Sequence, residues 1–205
     1  MSTAADGTMK NDAPDVTVRE NRHRFLLRHS ISADTTKLVV VTYGGDDYAR
    51  YIVVEDADNI PSDSVFTLIP GTPLFLPLAD CIGAVLYDTK NNALGMAHLG
   101  RHNLVQSGGT KNIEYMQQTF GSHPKDITVF MSPAASKTAY PLHDFDGKSL
   151  HDVAVEQLLH AGIVIQNITI DERDTTTDES LFSHSNFLQG KQETDGRHAL
   201  VAIVR

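Results

Sequence analysis

The 205-residue chain has one cysteine, Cys81, and no tryptophan. A lone thiol cannot close an internal disulfide, which excludes a disulfide-stapled framework and makes a reducing, cytoplasmic setting the expectation. Basic residues are in deficit: 17 Lys and Arg stand against 26 Asp and Glu, a formal net charge of -9. That balance argues against a surface for nucleic acid or an anionic membrane, and leaves small molecules as the expected partners. No apolar run approaches the ~18 residues of a membrane span, and the start is not a basic stretch followed by an apolar one, so neither a span nor a secretory signal is expected. Internal repeats and the glycine-rich fingerprints of dinucleotide-binding and P-loop folds are also missing. The chain is expected to be a monomer.

With 40% apolar residues, the chain is long enough to bury one sizeable core. Residues 1–16 are small, polar and aperiodic, and read as a mobile tail without chemistry; residues 17–205 read as a single domain. Arg22, His23, Arg24, Arg28 and His29 surround Phe25 to Leu27 and read as a solvated face.

The stretch Phe75 to Gly100 organises the rest. Ile82 to Tyr87 reads as a buried strand, Asp88 to Asn92 as a turn and Ala93 to Ala97 as a returning strand. Cys81 then enters one strand where His98 leaves the other, so both side chains can reach the same end of the sheet. A thiolate and an imidazole can share a zinc ion, or the imidazole can activate the thiol as a nucleophile. The plainest reading of two such residues alone is a buried structural thiol and a histidine bonded to a backbone carbonyl.

Before this stretch, Lys37 to Thr42 and Tyr48 to Val54 read as a hairpin around Gly44-Gly45-Asp46-Asp47, Glu55 to Ser64 as a polar segment, and Val65 to Ile69 as a strand. After it, the pattern predicts a helix over Leu104 to Phe120 closed by Gly121, a strand over Ile127 to Met131, a helix over Asp146 to Ala161 and a strand over Ile163 to Ile170. A polar loop over Asp171 to Ser180 and a final strand over Ala199 to Val204 complete the chain. Arg101 and His102 stand near a helix start, where an anion can be held. This order describes an α+β sandwich with helices covering one or both sheet faces.

Leu78-Ala79-Asp80-Cys81 and Met96-Ala97-His98-Leu99-Gly100 resemble the paired Ala-Asp-Cys and Ala-His-x-Gly motifs of the laccase-domain proteins, also called the multicopper polyphenol oxidase, YfiH-like or zinc-dependent purine nucleoside phosphorylase family. Phe130-Met131-Ser132-Pro133-Ala134 with Tyr140, Leu181-Phe182-Ser183, and Asp195-Gly196-Arg197-His198-Ala199 resemble its later elements in the same order. The resemblance implies a single-domain αββα sandwich with mixed β-sheets and one zinc held by Cys81, His98 and a further histidine, copper being the less expected metal. It also implies phosphorolysis of purine nucleosides and deamination of adenosine, with nucleoside and phosphate as partners.

Departures from the pattern are as specific. No histidine lies in Thr42 to Asp47, where the family carries its first one, and Asp46 and Asp47 read as turn residues. His143 and His184 are the candidates for the third ligand. Arg101, His102, Arg197 and Tyr140 are the candidates for holding phosphate and substrate, Arg101-His102 standing where the family has Trp-Arg. A later cysteine is missing near Arg173-Asp174-Thr175, and Ser185 replaces an arginine. Two alternatives follow: a metal-free cysteine hydrolase or deamidase using Cys81 and His98, and a catalytically silent binding or assembly protein.

Overall fold

Short β-branched runs and helically spaced apolar residues fold in the following order: α1 (Val16–Arg28), β1 (Lys37–Leu38), β2 (Tyr51–Val53), β3 (Ser64–Thr67), β4 (Leu74–Leu78), β5 (Ile82–Asp88), β6 (Leu94–Leu99), α2 (Arg101–Val105), α3 (Gly108–Phe120), β7 (Ile127–Met131), α4 (Leu150–His160), β8 (Ile168–Ile170), α5 (His184–Leu188) and β9 (His198–Ala202). The computed structural model describes residues 1–10, 15–55 and 60–205. The strands make two mixed sheets, one ordered β1-β4-β9 and one ordered β2-β3-β6-β5-β7-β8. In the larger sheet β5 is antiparallel to both β6 and β7, while β2 and β8 are added in parallel to β3 and β7 at the edges.

Three apolar layers hold these elements together. Leu74, Leu76, Leu78 and Leu200 of the small sheet meet Val65, Leu94 and Met96 of the large one between the sheets. The outer face of the large sheet, through Phe66, Ile82, Ala84, Leu86, Ala97 and Leu99, packs on Leu104 of α2, Ile113 and Met116 of α3, and Leu150, Val153 and Leu158 of α4. Phe25 and Leu26 of α1 cover the outer face of the small sheet at Phe75 and Ala199. The result is the αββα sandwich that the resemblance implied. Close-packed layers of this kind make each buried leucine worth about 2–5 kcal/mol against truncation to alanine.

Local chemistry sets the helix ends. Ser149 accepts from the Asp152 amide and the Asp152 carboxylate reaches back to the Ser149 amide, so α4 begins with a reciprocal cap at Leu150, later than the sequence pattern predicts. Ser107, left-handed at φ 62°, breaks the expected helix over Leu104 to Phe120 into α2 and α3. Gly121 closes α3 at φ 66°.

Four expectations are corrected. Lys37 to Val54 is no hairpin: β1 pairs in parallel with β4 and β2 in parallel with β3, in different sheets. Most of the strand expected over Ile163 to Ile170 is loop and a 3-10 turn, with only Ile168–Ile170 as β8. A strand that the pattern did not signal, β4, runs through Pro77. The expected mobile tail is anchored over its first ten residues. Ser2 and Met9 are fully buried, Ser2 donates to the Ala199 carbonyl at 2.8 Å, and Met9 donates to the Arg197 carbonyl at 2.7 Å. Residues 11–14 of that tail and 56–59 of the polar segment lie outside the described residues. The basic cluster lies on α1 as a largely solvated face, with Arg22 donating to the Met9 carbonyl at 2.7 Å. No helix among the described residues is long and apolar enough to cross a membrane.

Candidate functional site

Because β5 and β6 pair with Ile82 opposite Leu99 and Gly83 opposite His98, Cys81 lies just beyond the pairing, beside Gly100. Side chains alternate along both strands. Met96 and Leu94 point between the sheets, and His98 shares their parity, as Cys81 shares that of Val85 and Tyr87. Both therefore face the gap between the sheets at one end, where a cavity of about 590 Å³ opens. A β-carbon built on Gly100 would come 2.9 Å from Cys81 Sγ and 3.4 Å from His98 Nε2, so the missing side chain leaves room for both groups. The two residues converge, yet among the described residues no hydrogen bond links the thiol to the imidazole or to any other group.

Burial pushes the Cys81 thiol up to about 12, and the adjacent Asp80 carboxylate adds to the effect against Arg197 and Arg101. Asp80 is held left-handed at φ 70°; its carboxylate accepts from Thr175 Oγ1 at 2.7 Å and from the Ser185 amide at 2.7 Å. The polar loop at Thr175 and the first turn of α5 at Ser185 thus pin the residue next to the thiol. Burial drives His98 down to about 4, with the Asp63 carboxylate acting in the opposite sense. Its Nδ1 is buried with no partner among the described residues, and its Nε2 lies 3.5 Å from the hydroxyl of Tyr43. At neutral pH the pair is a protonated thiol and an uncharged imidazole.

Around them the cavity is lined by cations and aromatic rings. The Arg101 guanidinium lies 5.6 Å from the centre of the Tyr140 ring and forms no ion pair among the described residues. Arg197 Nη1 donates to Asp195 at 2.6 Å, Lys10 Nζ approaches the same carboxylate at 3.1 Å, and His184 Nδ1 lies 2.8 Å from it. Burial acts to raise the Asp195 carboxyl, but these three partners hold it well below the usual carboxylate range. Tyr43 stands at the mouth, two-thirds exposed.

Of the residues that the sequence suggests, Cys81, His98, Arg101, His102, Tyr140, His184 and Arg197 all line this cavity. His143 does not; it is exposed on a 3-10 turn outside it, so it is not available as a third ligand there. His102 stacks on Tyr48 with ring centres 4.6 Å apart. Two lining residues lack any local signal: Lys10, within the supposed tail, and Tyr43, beside the Gly44-Gly45 turn. His198 is fully buried with neither ring nitrogen partnered among the described residues.

A zinc centre that does chemistry takes three protein ligands. Here the converging donors are one thiol and one imidazole, and the Tyr43 phenol lies 3.5 Å from His98 Nε2. Among the described residues no group of three or more His, Cys, Asp and Glu can hold a metal ion. The side chains present do not fit the zinc that the resemblance implies, nor the His and Cys set of a mononuclear copper site.

Residues 4–145 match the family model described as multi-copper polyphenol oxidoreductase laccase. Among curated relatives, a purine nucleoside phosphorylase of Clostridium acetobutylicum is 28% identical over 104 residues, 48% of this chain and 44% of the relative. Purine nucleoside phosphorylase YlmD of Bacillus subtilis is 24% identical over 153 residues, 63% of this chain and 55% of the relative. The chain thus spans about half the length of these curated relatives. The crystal structure of the Bacillus licheniformis hypothetical protein YfiH superposes with a TM-score of 0.83 at 20% identity, covering 97% of this chain and 85% of that one. YlmD from Geobacillus stearothermophilus gives 0.81 at 20% identity, with the same coverage of both chains. These superpositions show a shared fold.

Proposed function

Since the chain belongs to the multi-copper polyphenol oxidoreductase laccase family, we propose that its cavity binds a purine nucleoside together with orthophosphate and carries out phosphorolysis with the chain's own side chains. One observation carries this reading: Arg101, Arg197 and Lys10 converge with the rings of Tyr43 and Tyr140 on a single cavity beside Cys81 and His98. Its volume of about 590 Å³ falls within the ~300–1,000 Å³ range of small-molecule sites. The names of the relatives add the substrate class.

The chemistry asks for charge and orientation more than for a base. A phosphate oxygen attacks C1′ of the sugar as the C1′–N9 bond breaks, the bonding electrons leave with the purine, and the proton given up by phosphate ends on the base. Arg101, free of any carboxylate among the described residues, and Arg197 would hold the phosphate dianion. The Cys81 thiol stays protonated, as does the Tyr140 phenol, whose pKa burial also raises; both are donors for the electron-rich leaving base. Deamination of adenosine finds less support, because it needs a base for water. The lining carboxylate, Asp80, already accepts two hydrogen bonds, and Asp195 holds three basic groups.

Incubating the protein with inosine or adenosine, with and without phosphate, and following free base by chromatography tests the reading. Phosphate-dependent release of base, weakened in Arg101→Gln chiefly through the KM for phosphate, is the expected result. No free base at any phosphate concentration would overturn it. Nucleoside binding without turnover would instead favour a silent binding protein, the reading that the missing third metal donor supports.

A further inference from the structure

We infer that this chain has no resident metal at Cys81 and His98, and that Tyr43 occupies the side of the pair from which a third ligand would have to approach. The inference concerns the same cavity as the proposed phosphorolysis, but it is read by metal content and spectra, so either can fail without the other. Among the described residues no third His, Cys, Asp or Glu side chain converges with the pair. Both oxygens of Asp80 are engaged, by Thr175 Oγ1 and by the Ser185 amide, each at 2.7 Å. His184 lies against Asp195 through Nδ1 at 2.8 Å and the His102 ring is stacked on Tyr48, and neither forms a three-donor group with Cys81 and His98 among the described residues. What faces His98 Nε2 is the Tyr43 hydroxyl, 3.5 Å away.

A phenol is a poor substitute for the missing donor. It binds a divalent zinc ion well only after losing its proton, whereas a neutral imidazole binds as it is. Tyr43 is also held from behind. Arg50 donates to Thr42 Oγ1 at 2.6 Å and to the buried Asp63 carboxylate at 3.0 Å, which ties the residue next to Tyr43 to Asp63, whose carbonyl accepts from the His98 amide at 2.9 Å. The convergence of Cys81 and His98 at Gly100 therefore leaves two-thirds of a metal site, and a single change should complete it: a shorter imidazole at position 43, reaching toward His98 Nε2 from the place where the phenol now lies.

Zinc itself is the probe. The full chain, purified without chelator and then equilibrated in metal-free buffer, should retain far less than one zinc per chain, and Cys81→Ser should leave its zinc affinity, measured by chelator competition, unchanged. Tyr43→His should gain one zinc per chain and, with cobalt(II), a sulfur-to-metal charge-transfer band that disappears in Tyr43→His combined with Cys81→Ser. Circular dichroism shows whether the histidine variant folds; if it does not, the comparison of wild type with Cys81→Ser decides alone. One zinc retained by the wild-type chain and lost in Cys81→Ser or His98→Ala would overturn the inference, as would a folded Tyr43→His variant that gains no metal.

Discussion

Arg50 and Asp63 form an ion pair at 3.0 Å, in which the Asp63 side chain is almost completely buried and the Arg50 side chain is 28% exposed. Asn103 Nδ2 also donates to Asp63, at 3.2 Å, and the Asp63 carbonyl accepts from the His98 amide at 2.9 Å, so the pair joins β3, β6, α2 and the segment carrying Tyr43. Replacing Arg50 with alanine strands a buried carboxylate. The expected loss is roughly 2 kcal/mol, below the ~3–5 kcal/mol of a fully buried pair because Arg50 meets solvent. Urea unfolding measures it, and an unchanged midpoint would show that the pair does not hold this corner together.

Gly100 has φ -103° and ψ -179°, which any residue adopts, so Gly100→Ala tests space rather than backbone strain. The added methyl would press on Cys81 Sγ and the His98 ring. We expect a stability loss of about 1–3 kcal/mol from overpacking and weakened nucleoside binding, as the two side chains are pushed into the cavity. Calorimetric titration giving the wild-type affinity would refute this.

Cys81 should be slow to alkylate. With its pKa raised from 9.0 to about 12, the thiolate fraction at neutral pH falls roughly 1,000-fold against an unburied thiol, one factor of ten per unit. As the chain has one cysteine, intact-mass analysis after iodoacetamide treatment reads that site alone. Rapid labelling at pH 7 would restore the metal-free cysteine hydrolase as a serious reading.

His98 and His198 are both buried and lowered from 6.5 to about 4. Between those values the unfolded chain binds protons that the folded chain does not, so stability must fall as pH drops from 6.5 toward 4. The contribution is fully present above 6.5. Each shift corresponds to at most about 3 kcal/mol. Denaturation midpoints across this window should decline less steeply in His198→Gln than in the wild type; parallel curves would count against the assignment.

Much of the site could be read from the sequence, because it depends on one short-range feature. A tight antiparallel return places the start of β5 next to the end of β6, so the alternation of Ile82 to Tyr87 and Leu94 to Leu99 already brings Cys81 and His98 to one end of one face. The end of α3 was legible for a similar reason, since the Gly121 terminator acts within a single turn, whereas the start of α4 at the Ser149 cap and the break at Ser107 were not anticipated.

Partners distant along the chain were decided only by the tertiary structure. β1 and β2 look like a hairpin locally, but each gains more by adding to a different sheet, against β4 and β3, where layers remote in sequence bury them. Residues 1–10 have no periodicity, yet Ser2 and Met9 find backbone partners around β9 and bring Lys10 to the cavity beside Arg197. The sequence determined which two donors would meet, through alternation and a tight turn. What else surrounds them, the Tyr43 phenol and the cations Lys10, Arg101 and Arg197, followed from the packing of the two sheets, whose long-range contacts no local pattern encodes.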